Sequence, residues 1–536
     1  MGMGTQDRRL AAVQPLVSSL ESFRIALQKD LDIGKAIDAR RRLGQFATPT
    51  KLAYDIVSFG LTLNKNSSIS FLDPAFGTGV FYSALIDIFG VDNISDAKGI
   101  EIDPYYGVPS QRLWASMDID IQIDDFTKLM PEKKFNFIIC NPPYVRHHLI
   151  DSHEKLRIKE KTFQTSGVKL SGLAGLYCHF LLQSYQWMDD EGIAGWLIPS
   201  EFMDVNYGKE LKQFLLTKVE LLRIHRFDPN EVQFDDALVS SSVVWIRKKK
   251  PSYSSKIEFS FGGTLVQPKI IKSVNLSTLK NDNKWTRFPE FDTNAVDGNQ
   301  SRLSDLFTVK RGIATGNNEF FILDEEKIRR LDLPFKFFRP ILPSARYVNQ
   351  LEILADNEGN PILPHKLFLL DCRLPEDELK ENYPTVWSYL ESGKETVSTG
   401  YLCKSRKLWY LQEHRDAPPF ICTYMGRDSV KGSAFRFILN HSDAIVTNSY
   451  LALYPNEFLS QKLSSNPKLK RLIWKILNSI STNTIIGEGR TYGGGLRKIE
   501  PTELLNVPIP ESLIKHLRSD YIETGHGINQ EDTICN

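Results

Sequence analysis

Ser70-Phe71-Leu72-Asp73-Pro74-Ala75-Phe76-Gly77-Thr78-Gly79 decides how the N-terminal half of this chain folds. Ser70 to Asp73 predicts a strand, Pro74 to Gly79 a tight turn, and Val80 to Phe89 places apolar residues at helical spacing. A strand, a glycine loop and a helix in that order open a doubly wound α/β sheet. Gly77 and Gly79 let the backbone approach a ligand with no Cβ in the way. The loop lacks the Gly-x-Gly-x-x-Gly of dinucleotide enzymes and the Gly-Lys-Ser/Thr of phosphate loops. Asp73 opens it instead, and a negative charge there suits a cationic ligand better than a pyrophosphate. S-adenosylmethionine, with an ammonium, a sulfonium, a ribose and an adenine, fits that requirement. Taken alone, such a loop is also compatible with a plain turn that binds nothing.

The next elements extend the same pattern. Lys98 to Asp103 reads as a second strand with Glu101 near its carboxyl end, about where doubly wound folds grip ribose hydroxyls. Ile119 to Ile123 reads as a third, ending in Asp124-Asp125-Phe126. A carboxylate there can accept a hydrogen bond from an adenine amino group, and Phe126 can lie flat on the purine; a solvated acidic turn is the plainer alternative. Phe135 to Cys140 is an apolar run that predicts a buried fourth strand. It runs into Asn141-Pro142-Pro143-Tyr144. The prolines stiffen the turn and carry no N–H. The side-chain oxygen of Asn141 and the carbonyl of Pro142 can then both face an amino group, while Tyr144 offers a flat surface for a planar ring. An exocyclic amine held this way keeps its lone pair free to attack an electrophile.

Composition bounds the remainder. At 536 residues two or three domains are expected, and 41% hydrophobic with 24% charged residues is ordinary for a soluble globular protein. The net charge of +1 means that affinity for nucleic acid must come from local basic patches. The six cysteines are scattered with no Cys-x-x-Cys pair, which argues against structural zinc and a disulfide scaffold. No apolar run is long enough to span a bilayer, and the charged N-terminus does not read as a signal peptide. A reducing, cytoplasmic setting is expected, with no membrane association and no metal. Leu10, Val13, Val17, Leu20, Ile25, Leu27 and Leu31 predict one or two packing helices ahead of the sheet. Gln45-Phe46-Ala47-Thr48-Pro49 then precedes a helix beginning near Lys51.

These motifs together resemble the gamma class of N6-adenine DNA methyltransferases, the TaqI-like enzymes of type II restriction-modification. Gln45 to Pro49 is similar to motif X of that class, Asp73 to Gly79 to motif I, Glu101 with Asp103 to motif II, Asp125-Phe126 to motif III and Asn141 to Tyr144 to motif IV. The resemblance implies a Rossmann-like methyltransferase sheet with a separate mixed α+β target-recognition domain. It implies that Thr48 contacts the methionine part of S-adenosylmethionine, that Asp73, Ala75, Gly77 and Gly79 line its amino-acid end, that Glu101 holds the ribose, and that Asp125 and Phe126 hold its adenine. Asn141 and Pro142 would bind the N6 amine of the target adenine, with Tyr144 stacking on the base. The class places a second aromatic wall in motif VIII, where Phe234 matches and Phe227 is the fallback; a core phenylalanine is the plainer reading of either. Duplex DNA and a cognate restriction endonuclease are the implied partners of a monomeric enzyme.

The divisions expected are a helical extension over 1–40, a methyltransferase domain over 41–250, a linker over 251–300 and a DNA target-recognition domain over 301–536. Glycine-rich 167–175 reads as a mobile loop. In the C-terminal half, Phe307 to Leu323 predicts a hairpin with Lys310, Arg311 and Asn317 at its turn. Arg490, Tyr492 and Arg497 lie in a glycine-rich stretch suited to a loop along a phosphate backbone, and Arg146 follows the Asn141 turn. Each basic segment is equally readable as an ordinary surface loop. Two other functions stay open: a methyltransferase acting on a protein glutamine or an RNA base, and a DNA-specificity protein without catalysis.

Overall fold

The computed structural model describes residues 5–228, 240–282, 284–289, 301–427, 434–492, 495–510, 513–514 and 517. The chain forms two compact units, Met1–Thr293 with Tyr492–Gly494, and Asn294–Thr491 with Gly495–Asn536.

The first unit is built on a nine-stranded mixed sheet. Its strands are β1 (Ile69–Asp73), β2 (Ile94–Glu101), β3 (Asp120–Ile123), β4 (Phe135–Cys140), β5 (Met188–Pro199), β6 (Glu220–Arg226), β7 (Ser241–Arg247), β8 (Lys256–Gly263) and β9 (Pro268–Asn275). They are ordered β3-β2-β1-β4-β5-β7-β6-β8-β9. The first five positions are joined in parallel, whereas β7 runs antiparallel to both β5 and β6. Parallel strands covered on both faces need nearly unbroken apolar sequence. Phe71, Leu72, Phe137, Ile138, Ile139 and Cys140 meet that need and are fully buried. Each of these phenylalanine, leucine and isoleucine side chains contributes about 1.5–3 kcal/mol on leaving water.

Ahead of the sheet lie α1 (Thr5–Gly34), α2 (Ile37–Leu43) and α3 (Thr50–Leu63), with α4 (Val80–Phe89) after β1 and α5 (Pro104–Leu113) after β2. Between β4 and β5 come α6 (Ser152–Ser166) and α7 (Leu176–Gln183), and α8 (Lys209–Thr217) precedes β6. The strands expected from Ser70, Lys98, Ile119 and Phe135 onward, and the helix from Val80 to Phe89, are all present.

Three assignments are corrected. Residues 256–275 are not linker: β8 and β9 extend the sheet beyond β6, and Ile257, Phe259 and Val274 are buried in its core. The first helix is not a separate extension, since Leu20 is buried in one hydrophobic cluster with Phe71 of β1 and Phe81 of α4, and α1 packs on α4 and α5. The stretch 167–175 is partly packed, with Leu170 and Ala174 buried in the core.

The second unit contains a five-stranded, a four-stranded and a three-stranded sheet among its described residues. Phe307–Arg311 pairs antiparallel with Tyr450–Pro455, and Ile322–Asp324 with Leu367–Leu370. The expected 307–323 hairpin is therefore absent; a short helix, Asn318–Phe321, separates two strands that belong to different sheets. The Arg490 segment is likewise not a loop throughout, because Arg490–Tyr492 and Leu496–Lys498 are neighbouring strands. No helix among the described residues is long and apolar enough to cross a membrane.

Candidate active site

The order β2-β1-β4-β5 puts the reversal of the sheet between β1 and β4, the position where open α/β sheets hold ligands. The turn after β1 carries the glycines and the turn after β4 carries Asn141, so strand pairing alone brings the two motifs to one edge.

Asn141 is held by the segment between α2 and α3. Gly44 ends α2 in the left-handed region at φ 65°, while the N–H of Gln45 donates to Arg40 O at 2.9 Å. A Cβ on Gly44 would stand 2.4 Å from the backbone nitrogen of Tyr144. Only glycine allows this approach, and the Tyr144 N–H donates to Gly44 O at 3.2 Å. The chain then runs past Asn141, whose Nδ2 donates to Phe46 O at 3.1 Å and to Thr48 Oγ1 at 3.0 Å. Both amide hydrogens are spent on this clamp, which fixes the side-chain flip. The other end of the amide, Oδ1, is buried with no partner. A buried unpaired acceptor costs about 1–3 kcal/mol. An arrangement that anchors the donor end twice and leaves the acceptor open is suited to receiving an N–H from outside the protein.

Tyr144 is fixed in the same way. Its hydroxyl donates to Leu197 O on β5 at 3.0 Å, and its ring lies 5.8 Å from that of Phe46 at 43°. The ring is half-buried with a set orientation, and Pro142 beside it is buried.

The glycine loop is organised by two buried carboxylates. Asp73 accepts from the Ala75 N–H at 3.1 Å, and Glu101 accepts from the Gly77 N–H at 2.8 Å and the Asp103 N–H at 2.9 Å. Burial pushes the Asp73 carboxyl up to about 8; the Ala75 N–H opposes this and the Glu101 charge adds to it. Burial also raises Glu101, against the two backbone N–H groups. Gly77 has φ 55° and a Cβ there would meet no atom within 4 Å, whereas a Cβ on Gly79 would lie 2.5 Å from the Phe76 ring. The loop is thus open on the Gly77 side and packed on the Gly79 side. Two buried acids beside an open backbone edge fit a ligand with a cationic group and hydroxyls.

Asp125 and Phe126 differ from expectation. Phe126 is 2% exposed, with its ring 5.1 Å from Phe180 and 5.5 Å from Trp187. It is a core residue with no free face for a purine. Asp125 is engaged within the protein: Oδ1 accepts from Thr127 N at 2.9 Å and Thr127 Oγ1 at 2.7 Å, and Oδ2 accepts from Arg157 at 3.2 Å. Arg157, on α6, also donates to Thr127 O and Thr127 Oγ1. Sequence reading passed over Arg157 because its partner lies 32 positions earlier. It also passed over Ile102, which is 63% exposed directly after Glu101 and presents the apolar surface that Phe126 does not. Phe234 lies outside the described residues. Phe227 is buried, with His225 edge-on at 4.7 Å, which makes it part of the core.

The basic residues expected at DNA are placed variously. Arg146 and Lys310 are exposed. The Arg311 guanidinium lies 4.2 Å from the centre of the Tyr424 ring and donates to Asn448 O at 3.3 Å. Asn317 caps the Asn318–Phe321 helix through the Phe320 N–H at 3.1 Å, and Arg490 pairs with Glu503 at 2.6 Å. Arg497 pairs in register with Gly426, and Tyr492 ends the neighbouring strand. Among the described residues no cluster of His, Cys, Asp and Glu could hold a metal ion.

Residues 49–233 match the family described as Eco57I restriction-modification methylase, and residues 291–533 match the C-terminal domain of Type II methyltransferase M.Eco57I. The chain is 26% identical over 496 residues to Type II methyltransferase M.AccI of Acinetobacter calcoaceticus, covering 89% of this chain and 87% of that one. It is 26% identical over 488 residues to Type II methyltransferase M.XamI of Xanthomonas campestris pv. amaranthicola, covering 88% and 85%. Among solved structures, the fold is similar to that of the Type IIL restriction-modification enzyme MmeI in complex with DNA, with a TM-score of 0.50 at 13% identity. That likeness covers 84% of this chain and 64% of the longer enzyme.

Proposed function

Since this chain belongs to the type II restriction-modification methyltransferases and is a DNA methyltransferase of that kind, we propose that it methylates N6 of an adenine rotated out of duplex DNA, protecting the site from a cognate endonuclease. The observation that carries this reading is the Asn141 amide, clamped at Nδ2 and open at a buried Oδ1.

The N6 lone pair of adenine is delocalised into the ring and is a poor nucleophile. Asn141 Oδ1 accepts one N6 hydrogen and the Pro142 carbonyl the other, which favours a more tetrahedral amine. As the nitrogen gains positive charge its N–H groups become stronger donors, so these hydrogen bonds are tightest in the transition state. S-adenosylmethionine, when bound, supplies the electrophilic methyl group. Asp73, Ala75, Gly77 and Gly79 hold its amino-acid end, with Asp73 ionised against the ammonium. Glu101 holds the ribose, Asp125 orients the adenine end, and Ile102 gives it an apolar wall. Thr48 stands beside the methionine part and fixes Asn141 at the same time. Tyr144 forms a wall against the extruded base. Positioning of the amine in line with the methyl supplies much of the rate, and no side-chain nucleophile is needed. Arg146, Lys310, Arg311, Tyr492 and Arg497 contact the DNA, whereas Arg490 and Asn317 are tied to Glu503 and a helix cap.

Modification-sensitive sequencing of DNA from cells expressing the chain tests this. N6-methyladenine at one recurring sequence is the expected result. A methylated cytosine instead, or label from the cofactor appearing only in protein or RNA, would overturn it.

A further inference from the structure

The first helix reaches the site through one cluster. Lys35, directly after α1, donates from Nζ to Gln45 Oε1 at 2.8 Å and also binds Asp103. Gln45 Nε2 donates to the same Asp103 oxygen at 2.9 Å. Asp103 Oδ1 caps α5 through the Tyr105 N–H at 3.0 Å, and the Asp103 N–H donates to Glu101. Gln45 is followed at once by Phe46 and Thr48, the two residues that clamp Asn141. A continuous polar path thus runs from Glu101 through Asp103, Lys35 and Gln45 to the segment that sets the Asn141 amide.

The rest of α1 anchors this cluster. Arg24 donates to Thr78 Oγ1 at 3.2 Å, Thr78 donates to Gln28 at 2.7 Å, and Tyr106 donates to Asp32 at 2.9 Å. The Lys35 ammonium also lies 5.3 Å from the centre of the Tyr106 ring and 5.7 Å from that of Tyr105. Burial would raise the Asp103 carboxyl, but the hydrogen bonds from Gln45 and Lys35 outweigh it and hold the group below its usual range. The carboxylate therefore stays charged and the link stays closed at neutral pH.

We propose that Lys35 is a positioning residue for methyl transfer, locking the Gln45–Thr48 segment to the loop after β2 so that Asn141 presents its oxygen to the base. This rests on the adenine methyltransferase reading given above. Lys35 touches neither base nor cofactor in this scheme. Its loss loosens the segment behind Asn141, and displacements of about 1 Å at such a site cost up to about a hundredfold in rate.

The full chain is compared with Lys35→Met, Lys35→Arg, Gln45→Met and the exposed control Lys29→Met. Cofactor affinity is read with sinefungin, and turnover with saturating DNA and S-adenosylmethionine. Lys35→Met is expected to lower kcat about tenfold or more while sinefungin affinity changes less than about threefold. Lys35→Arg regains most of that loss, and Lys29→Met behaves as the parent. Gln45→Met breaks the link from its other side and gives the same split, which keeps the test open should Lys35→Met not fold. Full kcat in both Lys35→Met and Gln45→Met would overturn the proposal, as would a loss that disappears at saturating cofactor. A parent chain that methylates no adenine would instead overturn the reading on which it rests.

Discussion

In the proposed mechanism, replacing Asn141 by alanine removes a buried, unpartnered side-chain acceptor that receives the adenine amine. The lost hydrogen bond is made to a nitrogen acquiring positive charge, a class worth about 1.5–3 kcal/mol. In a buried site, deleting one preorganised polar group of this kind costs about 2.7–4 kcal/mol of transition-state stabilisation. At 1.36 kcal/mol per tenfold, kcat should fall by about a hundredfold to a thousandfold. The ground state changes less. Phe46 O and Thr48 Oγ1 lose their donor, at about 1–3 kcal/mol, but the orphaned Oδ1 is relieved. Cofactor binding, assigned in the proposed mechanism to Asp73 and Glu101, should stay within about threefold, a change of less than about 0.7 kcal/mol. Single-turnover transfer of labelled methyl to DNA, beside calorimetric titration with sinefungin, separates the two effects. A variant that transfers methyl at near the parental rate with intact cofactor affinity would refute the claim that Asn141 activates the amine.

Other outcomes follow from the same geometry. Asp73 is raised to about 8 in the free protein, so below that pH the carboxyl must release a proton before it can pair with the ammonium of the cofactor. Affinity should therefore rise with pH, by up to about tenfold per unit below 8, and flatten above it, with proton release visible in titrations run in buffers of different ionisation enthalpy. The same shift means that the free protein loses stability as pH rises from the ordinary carboxylate range to about 8, where the unfolded chain is already ionised while the folded carboxyl keeps its proton, and that the loss levels off above 8; cofactor should offset this in thermal melts. Gly79→Ala should destabilise by more than about 2 kcal/mol, since its Cβ would strike the Phe76 and Trp114 rings at φ 85°. Gly77→Ala should cost only the left-handed backbone, about 1–2 kcal/mol, yet weaken sinefungin binding more than Gly79→Ala weakens it per unit of lost stability. Phe126→Ala should lower stability by about 3–5 kcal/mol, and Phe126→Leu should restore most of both stability and cofactor affinity, as befits a core residue and not a stacking wall. Melting curves and titrations distinguish these.

Much of the first unit is written locally. Ser70 to Phe89 and Phe135 to Tyr144 hold their strand, turn and helix signals within a few positions, and their order along the chain is enough to suggest the doubly wound sheet and the Asn141 motif. What local sequence does not hold is the choice of distant partner. Phe307–Arg311 has strand character, but whether it pairs with Ile322–Asp324 or with Tyr450–Pro455 depends on which apolar faces remain after collapse. Phe126 follows an acidic turn and reads as exposed until Phe180 and Trp187 arrive from later elements to bury it. The residues 256–275 look like a connection because the edge they extend, β6, is built elsewhere. The same limit governs the site. The sequence by itself determined which groups can grip an amine and a cation, because that chemistry belongs to residue types at close spacing. Only the tertiary structure decided that Thr48 and Phe46 orient Asn141, that Arg157 holds Asp125, and that Lys35 ties Gln45 to Asp103 after β2, because hydrogen bonds across 10 to 95 residues exist only once distant elements have packed together.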